Sequence, residues 1–261
     1  MFRQEGIQGF FRGVWIPLWS ITAVRATSFS IYTKSKAYLQ STNVFNSDKL
    51  SKVALSSTFA GFSSGFVISV ASAPFELVKI KRQLEFQIAL NRGLPYSDKG
   101  TIGSSKEIIR NQGYRGIYRG LPLHTFRDTL GTGLYFCIYD SIKHITFTNP
   151  NSKLSQYSYL MPIQLSSFLG GAFAGIGSWF LVYPIDIVKI VVQQRMLSNM
   201  DRKSAKDIFI HLVRGSDPNQ KPRPILVGLS KLYRGVWVSC LRSMTTHGLM
   251  WTIYETLMKN I

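Results

Sequence analysis

Pro74-Phe75-Glu76-Leu77-Val78-Lys79 recurs 110 residues later as Pro184-Ile185-Asp186-Ile187-Val188-Lys189. Both copies read Pro-x-acid-x-x-Lys, and each has a glutamine four residues after the lysine, Gln83 and Gln193. Upstream of each proline the same small residues return at offsets of minus 17, minus 13 and minus 9: Ser57, Gly61 and Gly65 in one copy, Ser167, Gly171 and Gly175 in the other. A small residue every fourth position lays a smooth stripe on one helix face, along which a second membrane helix can approach closely. Generic packing explains the glycines alone but not their identical register against the proline. A repeat of fixed length is therefore the organising feature of the chain.

Downstream of each proline lies a second anchor, aromatic-Arg-Gly, as Tyr118-Arg119-Gly120 and Tyr233-Arg234-Gly235, with a third copy at Phe11-Arg12-Gly13. Pro74 to Arg119 is 45 residues and Pro184 to Arg234 is 50, the extra length falling in the Pro-rich stretch between 217 and 224. Forty-five residues before Arg12 there is no sequence. On that spacing residues 1–40 are the second half of a first repeat, 41–150 a second and 151–261 a third, with about 50 to 60 upstream residues, one apolar span among them, expected to be missing.

Charge is segregated along the chain. Lys and Arg number 31 against 13 Asp and Glu, yet Leu50 to Ala73 holds one charge, Lys52, while nine basic residues fall between Lys79 and Arg119. Apolar spans joined by basic connections fit this distribution, and a basic face on a soluble core does not, so a nucleic-acid partner is not expected. The mean hydropathy of +0.06 is low for a membrane protein because the candidate spans carry many Ser, Thr and Gly residues, as helices lining a watery cavity do. Cys137 and Cys240 lie inside apolar stretches and no Cys/His spacing suggests a metal, so no cofactor is expected. No nucleophile-base pair or phosphate loop points to an enzyme. Membrane helices are expected near 14–38, 50–79, 120–146, 160–190 and 235–259, with Pro74 and Pro184 ending or kinking two of them.

Together these motifs resemble the signature of the mitochondrial carrier family, Pro-x-acid-x-x-basic followed by acid-Gly-x4-aromatic-basic-Gly, over the whole chain. The second half is intact as Glu5-Gly6 through Gly13 and drifts to Gln112-Gly113 and Val227-Gly228 in the later copies. The resemblance implies an all-α membrane protein, a threefold pseudo-symmetric helix bundle with five of six transmembrane helices present. It also implies a multi-pass location in the mitochondrial inner membrane, a monomer, cardiolipin at the matrix-side helix ends, and a short amphipathic helix on the matrix face at Lys99 to Asn111.

An ionisable residue at mid-membrane is a functional candidate by default. Seven residues past each anchor glycine stand Ser20, Arg127 and Arg242, with Asp128 beside them, about 10 Å into the bilayer at 1.5 Å per residue. By resemblance these are substrate contacts. Arg25, at offset twelve of the first copy, faces the same cavity or snorkels away from it. Adjacent helix residues point about 100° apart, so Arg127 and Asp128 are expected to seek separate partners. The stretch from Arg127 to Asp140 resembles the carnitine and basic amino-acid branch. A small zwitterion, such as an amino acid, carnitine or a methylated relative, would satisfy both charges. The alternatives are a di- or tricarboxylate exchanger, a non-transporting remnant, and, for Arg127 and Asp128, salt bridges that touch no substrate.

The resemblance also supplies two gates. On the matrix side Glu76 is expected to pair with Lys189, Lys79 and Asp186 are left to partners in the missing helix, and Gln83 and Gln193 act as braces. On the cytosolic side the pattern aromatic-acid-x-x-basic is intact at Tyr139-Asp140-x-x-Lys143. It is broken at Tyr32-Thr33, although Lys36 is in place, and at Tyr254-Glu255, where Met258 takes the basic position. Lys36 with Glu255 is the full bridge expected there.

Overall fold

The computed structural model describes residues 15–42, 45, 49–91, 100–148, 163–198, 204–215 and 224–260. The Phe11-Arg12-Gly13 anchor, the loop at 92–99 and most of the Pro-rich stretch lie outside them. The described residues are all-α: α1 (Trp15–Ser41), α2 (Leu50–Asn91), α3 (Gly100–Gln112), α4 (Leu121–Lys143), α5 (Ile163–Leu197), α6 (Ala205–Arg214), α7 (Ile225–Leu232) and α8 (Val236–Asn260). A 3-10 turn, Tyr114–Tyr118, leads into α4, and a π turn, His144–Thr148, follows it.

The five long helices stand in the order α1, α2, α4, α5, α8, each packed on the next. Helices α1 and α8 meet through Phe29, which lies edge-on to Trp251 at 5.1 Å. The short helices hang from this wall, α3 against α2, α6 against α5 and α7 against α6. Helix α3 matches the expected amphipathic segment, and α6 and α7 occupy the equivalent connection between α5 and α8.

The two small-residue stripes seat the tightest helix pairs. A methyl group on Gly61 would come within 2.7 Å of Gly133 Cα on α4, and one on Gly171 within 2.6 Å of the His247 carbonyl on α8. Gly120 and Gly235 close the anchor motifs with φ of 80° and 95°, a left-handed turn into α4 and α8 that suits glycine alone.

Neither proline ends its helix: α2 runs through Pro74 to Asn91 and α5 through Pro184 to Leu197. A proline leaves the carbonyl four residues earlier without its backbone donor, and membrane helices tolerate this when a neighbour supplies one. For Pro184 that carbonyl belongs to Phe180, and the Tyr233 hydroxyl donates to it at 3.1 Å. The aromatic of the third anchor thus repairs the helix that the proline interrupts.

The bundle is apolar outside and polar within. Phe59, Phe66, Phe75, Phe126, Phe173 and Trp237 are exposed, while Ser57, Ser64, His124, Asp140, Lys189 and Gln193 are buried. That inversion suits a hydrocarbon solvent. Among the described residues, two segments qualify as spans by length and mean hydropathy alone, Leu50–Ala89 at 1.5 and Leu165–Leu197 at 1.6. Helices α1, α4 and α8, at 27, 23 and 25 residues, are long enough to cross a core that needs about 20, although they are less apolar.

Candidate substrate cavity

A cavity of about 140 Å³ sits between α1, α4, α5 and α8, with Arg25, Arg127, Trp179 and His247 in its wall. Arg127 is its best-tethered charge. Its Nε donates to Asp186 Oδ1 and its Nη1 to Asp128 Oδ1, each at 2.8 Å, and its guanidinium lies 4.7 Å from the Trp179 ring centre. The guanidinium of Arg242 approaches the same ring at 5.5 Å. Trp179 therefore ties two of the offset-seven positions into one site through cation–π contacts. Arg25 lines the cavity from α1; Ser20 lies on α1 but its side chain is outside the described residues.

Two expectations are corrected here. Arg127 and Asp128 do neutralise each other, because the long guanidinium arm bends back across the 100° that separates their Cβ atoms. Asp186 takes Arg127 as its partner. Lys79 and Gln83 are exposed on α2, and among the described residues Lys79 has no carboxylate partner.

At the anchor-glycine end, Lys189 Nζ donates to Glu76 Oε1 at 2.7 Å, joining α5 to α2 as the family resemblance implies. Lys189 is only 1% exposed. Gln193, also buried, packs beneath it against Gly120, where an added methyl group would sit 3.0 Å from its Cγ. His124, which repeat comparison does not single out, fills the space between Glu76 and Asp128. Its equivalents four residues past the other anchor glycines are Pro17 and Ser239, so nothing recurs to mark it. Its legible signal is the His-x-x-x-Asp spacing that places it on the same helix face as Asp128.

At the opposite end, Asp140 is buried and accepts hydrogen bonds from the Tyr32 hydroxyl, Lys36 Nζ and the Ser57 hydroxyl. Lys36 thus pairs with Asp140, while the side chain of the expected partner, Glu255, lies outside the described residues. That of Met258 does as well, but Met258 occupies the position from which the third copy would supply a base. Around Asp140 the rings stack: Tyr139 on Trp251 at 3.6 Å, Tyr32 on Phe136 at 3.5 Å, with Tyr254 beside Phe29 at 5.2 Å. The Trp251 indole N–H donates to the Tyr135 hydroxyl at 2.5 Å. Lys143 is exposed one turn beyond.

The cavity thus has a polar centre and a set of side-chain locks at each end. A sequence model of the family described as "Mitochondrial carrier protein" matches residues 1–43, 51–150 and 164–261. The chain belongs to the mitochondrial carrier family. It is similar to solute carrier family 25 member 45 of Homo sapiens, at 26% identity over 99% of this chain and 83% of the relative. It is likewise similar to the mitochondrial arginine transporter BAC2 of Arabidopsis thaliana, 28% identical over 99% of this chain and 76% of the relative. The mitochondrial ornithine transporter 1 of Schizosaccharomyces pombe is 26% identical over 97% and 76%. As a mitochondrial carrier the protein is a transporter in a mitochondrial membrane, and the locks on either side of its cavity suit passage of a small solute.

Proposed function

We propose that this carrier exchanges a small amino acid or a related zwitterion, with arginine and ornithine the first candidates, across the mitochondrial inner membrane by alternating access. The observation that carries the reading is Arg127 in the cavity wall with Asp128 bonded to it, a cation and an anion whose charges complement the two ends of a zwitterion. Two relatives bear the names of arginine and ornithine transporters, which favours a cationic side chain on that zwitterion. Arg127, Asp128, Arg242, Ser20 and Arg25 form the substrate contacts in this reading. Glu76 with Lys189, and Lys36 with Asp140, close the matrix and cytosolic sides in turn.

A second reading rests on a different observation. Arg25 and Arg127 share the cavity and Arg242 shares Trp179 with Arg127, a cationic surround that suits a di- or tricarboxylate. The purified full chain in liposomes separates the two. Radiolabelled arginine, ornithine and carnitine are offered against internal unlabelled amino acid, and malate and citrate against internal malate. Saturable amino-acid exchange that Asp128→Asn abolishes supports the first reading; carboxylate exchange indifferent to that substitution replaces it with the second.

A further inference from the structure

Among the described residues, His124 is a buried group in this layer that the exchange scheme leaves without a task. It is 1% exposed on α4, with Glu76 Oε2 of α2 3.4 Å from its Nδ1 and Asp128 Oδ2 of its own helix 3.5 Å from its Nε2. Ser72 Oγ, also on α2, lies 3.3 Å from Nε2. Each carboxylate commits its other oxygen to a permanent cation, Glu76 Oε1 to Lys189 and Asp128 Oδ1 to Arg127. The two oxygens left over converge on the two ring nitrogens.

A neutral imidazole has one N–H and one lone pair. If the proton sits on Nε2, the Nδ1 lone pair faces a carboxylate oxygen, and Nδ1 has no hydrogen-bond partner. If it sits on Nδ1, the Nε2 lone pair can accept from Ser72 but still confronts Asp128. Only the imidazolium offers a donor to each carboxylate. The local charge agrees: three carboxylates, Glu76, Asp128 and Asp186, meet two permanent cations, Lys189 and Arg127, and one more positive charge completes the balance.

We propose that His124 is a proton-binding site whose imidazolium bridges Glu76 and Asp128 and competes with Lys189 for Glu76, so that protonation loosens the matrix-side closure. Lys189 of α5 and Arg127 of α4 oppose the added charge while they stay close. Helices α2 and α4 are locked together through Gly61 and Gly133, so Glu76 and His124 remain neighbours when α5 swings away and carries Lys189 with it. Departure of that cation strengthens proton binding, and by linkage proton binding favours its departure. A divalent metal is the rival occupant, since Glu76, His124 and Asp128 each present a ligand atom within 4.8 Å of the others. It is disfavoured because both carboxylates already neutralise a cation.

The inference rests on the gate assignment above, and its first test needs no substrate. The full chain labelled with 15N-histidine in lipid nanodiscs gives the ring signals of its four histidines, and His124→Gln identifies the one sought. The expected result is a one-proton titration of His124 across the pH range in which the carrier stays folded, with proton affinity raised about tenfold in Lys189→Gln. A ring that stays neutral across that range, or a midpoint blind to Lys189→Gln, overturns the proposal. So does selective loss of the His124 signal to stoichiometric Mn2+ or Zn2+ with no pH response, which assigns the site to a metal. In liposomes, arginine exchange at equal pH on both sides is expected to accelerate on acidification in the native carrier and to be flat in His124→Asn. Absence of arginine exchange in both sinks the substrate reading and leaves the titration to decide the proton site.

Discussion

Lys36 of α1 and Ser57 of α2 both donate to one oxygen of Asp140 on α4, so a single buried carboxylate holds three helices together at the end opposite the anchor glycines. Its third donor, the Tyr32 hydroxyl, stacks its own ring on Phe136 of α4. Asp140→Asn keeps the shape but removes the charge that compensates Lys36, and the expected loss is about 3 kcal/mol. Tyr32→Phe removes one hydrogen bond and keeps the stack, with an expected loss of about 1 kcal/mol. Thermal unfolding in detergent, followed with a thiol-reactive dye that reports exposure of Cys137 and Cys240, ranks the two; equal Tm values contradict the scheme.

The Glu76–Lys189 pair makes a different prediction at the other end. Glu76→Gln strands a lysine that is 1% exposed and is expected to cost about 2 to 3 kcal/mol, less than for a fully buried pair because the Glu76 side chain is 38% exposed. The double variant Glu76→Gln, Lys189→Met should recover much of that loss, since it removes the stranded charge. A double variant less stable than Glu76→Gln alone, in the same unfolding assay, argues against the pair.

Close helix approach is testable at the stripes. Gly61→Ala and Gly171→Ala press a methyl group against backbone, Gly133 Cα and the His247 carbonyl, and each is expected to cost about 1 to 3 kcal/mol. Gly177→Ala meets only the flexible end of Ile138 at 3.0 Å and should cost under about 1 kcal/mol. Tm values of the three variants decide whether the stripe or glycine content in general sets stability.

Trp179 gathers two arginines over one ring, so its loss should be felt as weaker substrate binding. Trp179→Ala is expected to raise the KM for arginine exchange by roughly twofold to tenfold, and Trp179→Phe by less, the range of a cation–π contact. An unchanged KM in Trp179→Ala separates this ring from the transport site.

What recurs was legible in the sequence. The offsets of Ser57, Gly61 and Gly65 from Pro74, repeated before Pro184, located the faces on which α2 meets α4 and α5 meets α8, and the spacing of Glu76 and Lys189 foresaw their pairing. What does not recur was illegible. His124 has no counterpart in the other copies, and the pairing of Lys36 with Asp140 crosses repeats at positions the pattern did not match to each other. Helical angles misled at Arg127 because they describe where a side chain starts, whereas a guanidinium four bonds out finds the carboxylate beside it. The run of α2 through Pro74 was hidden for another reason: proline rules are written for helices in water, and here the surroundings are protein and lipid.

The hydrogen bond from Tyr233 to the Phe180 carbonyl gives α5 a joint whose pin belongs to another segment. Withdrawing that hydroxyl frees the helix to flex at Pro184, and the half that then swings is the one bearing Asp186 and Lys189. The linker entering α8 thus touches α5 at its proline break, so tilting of α8 is coupled to the position of Lys189.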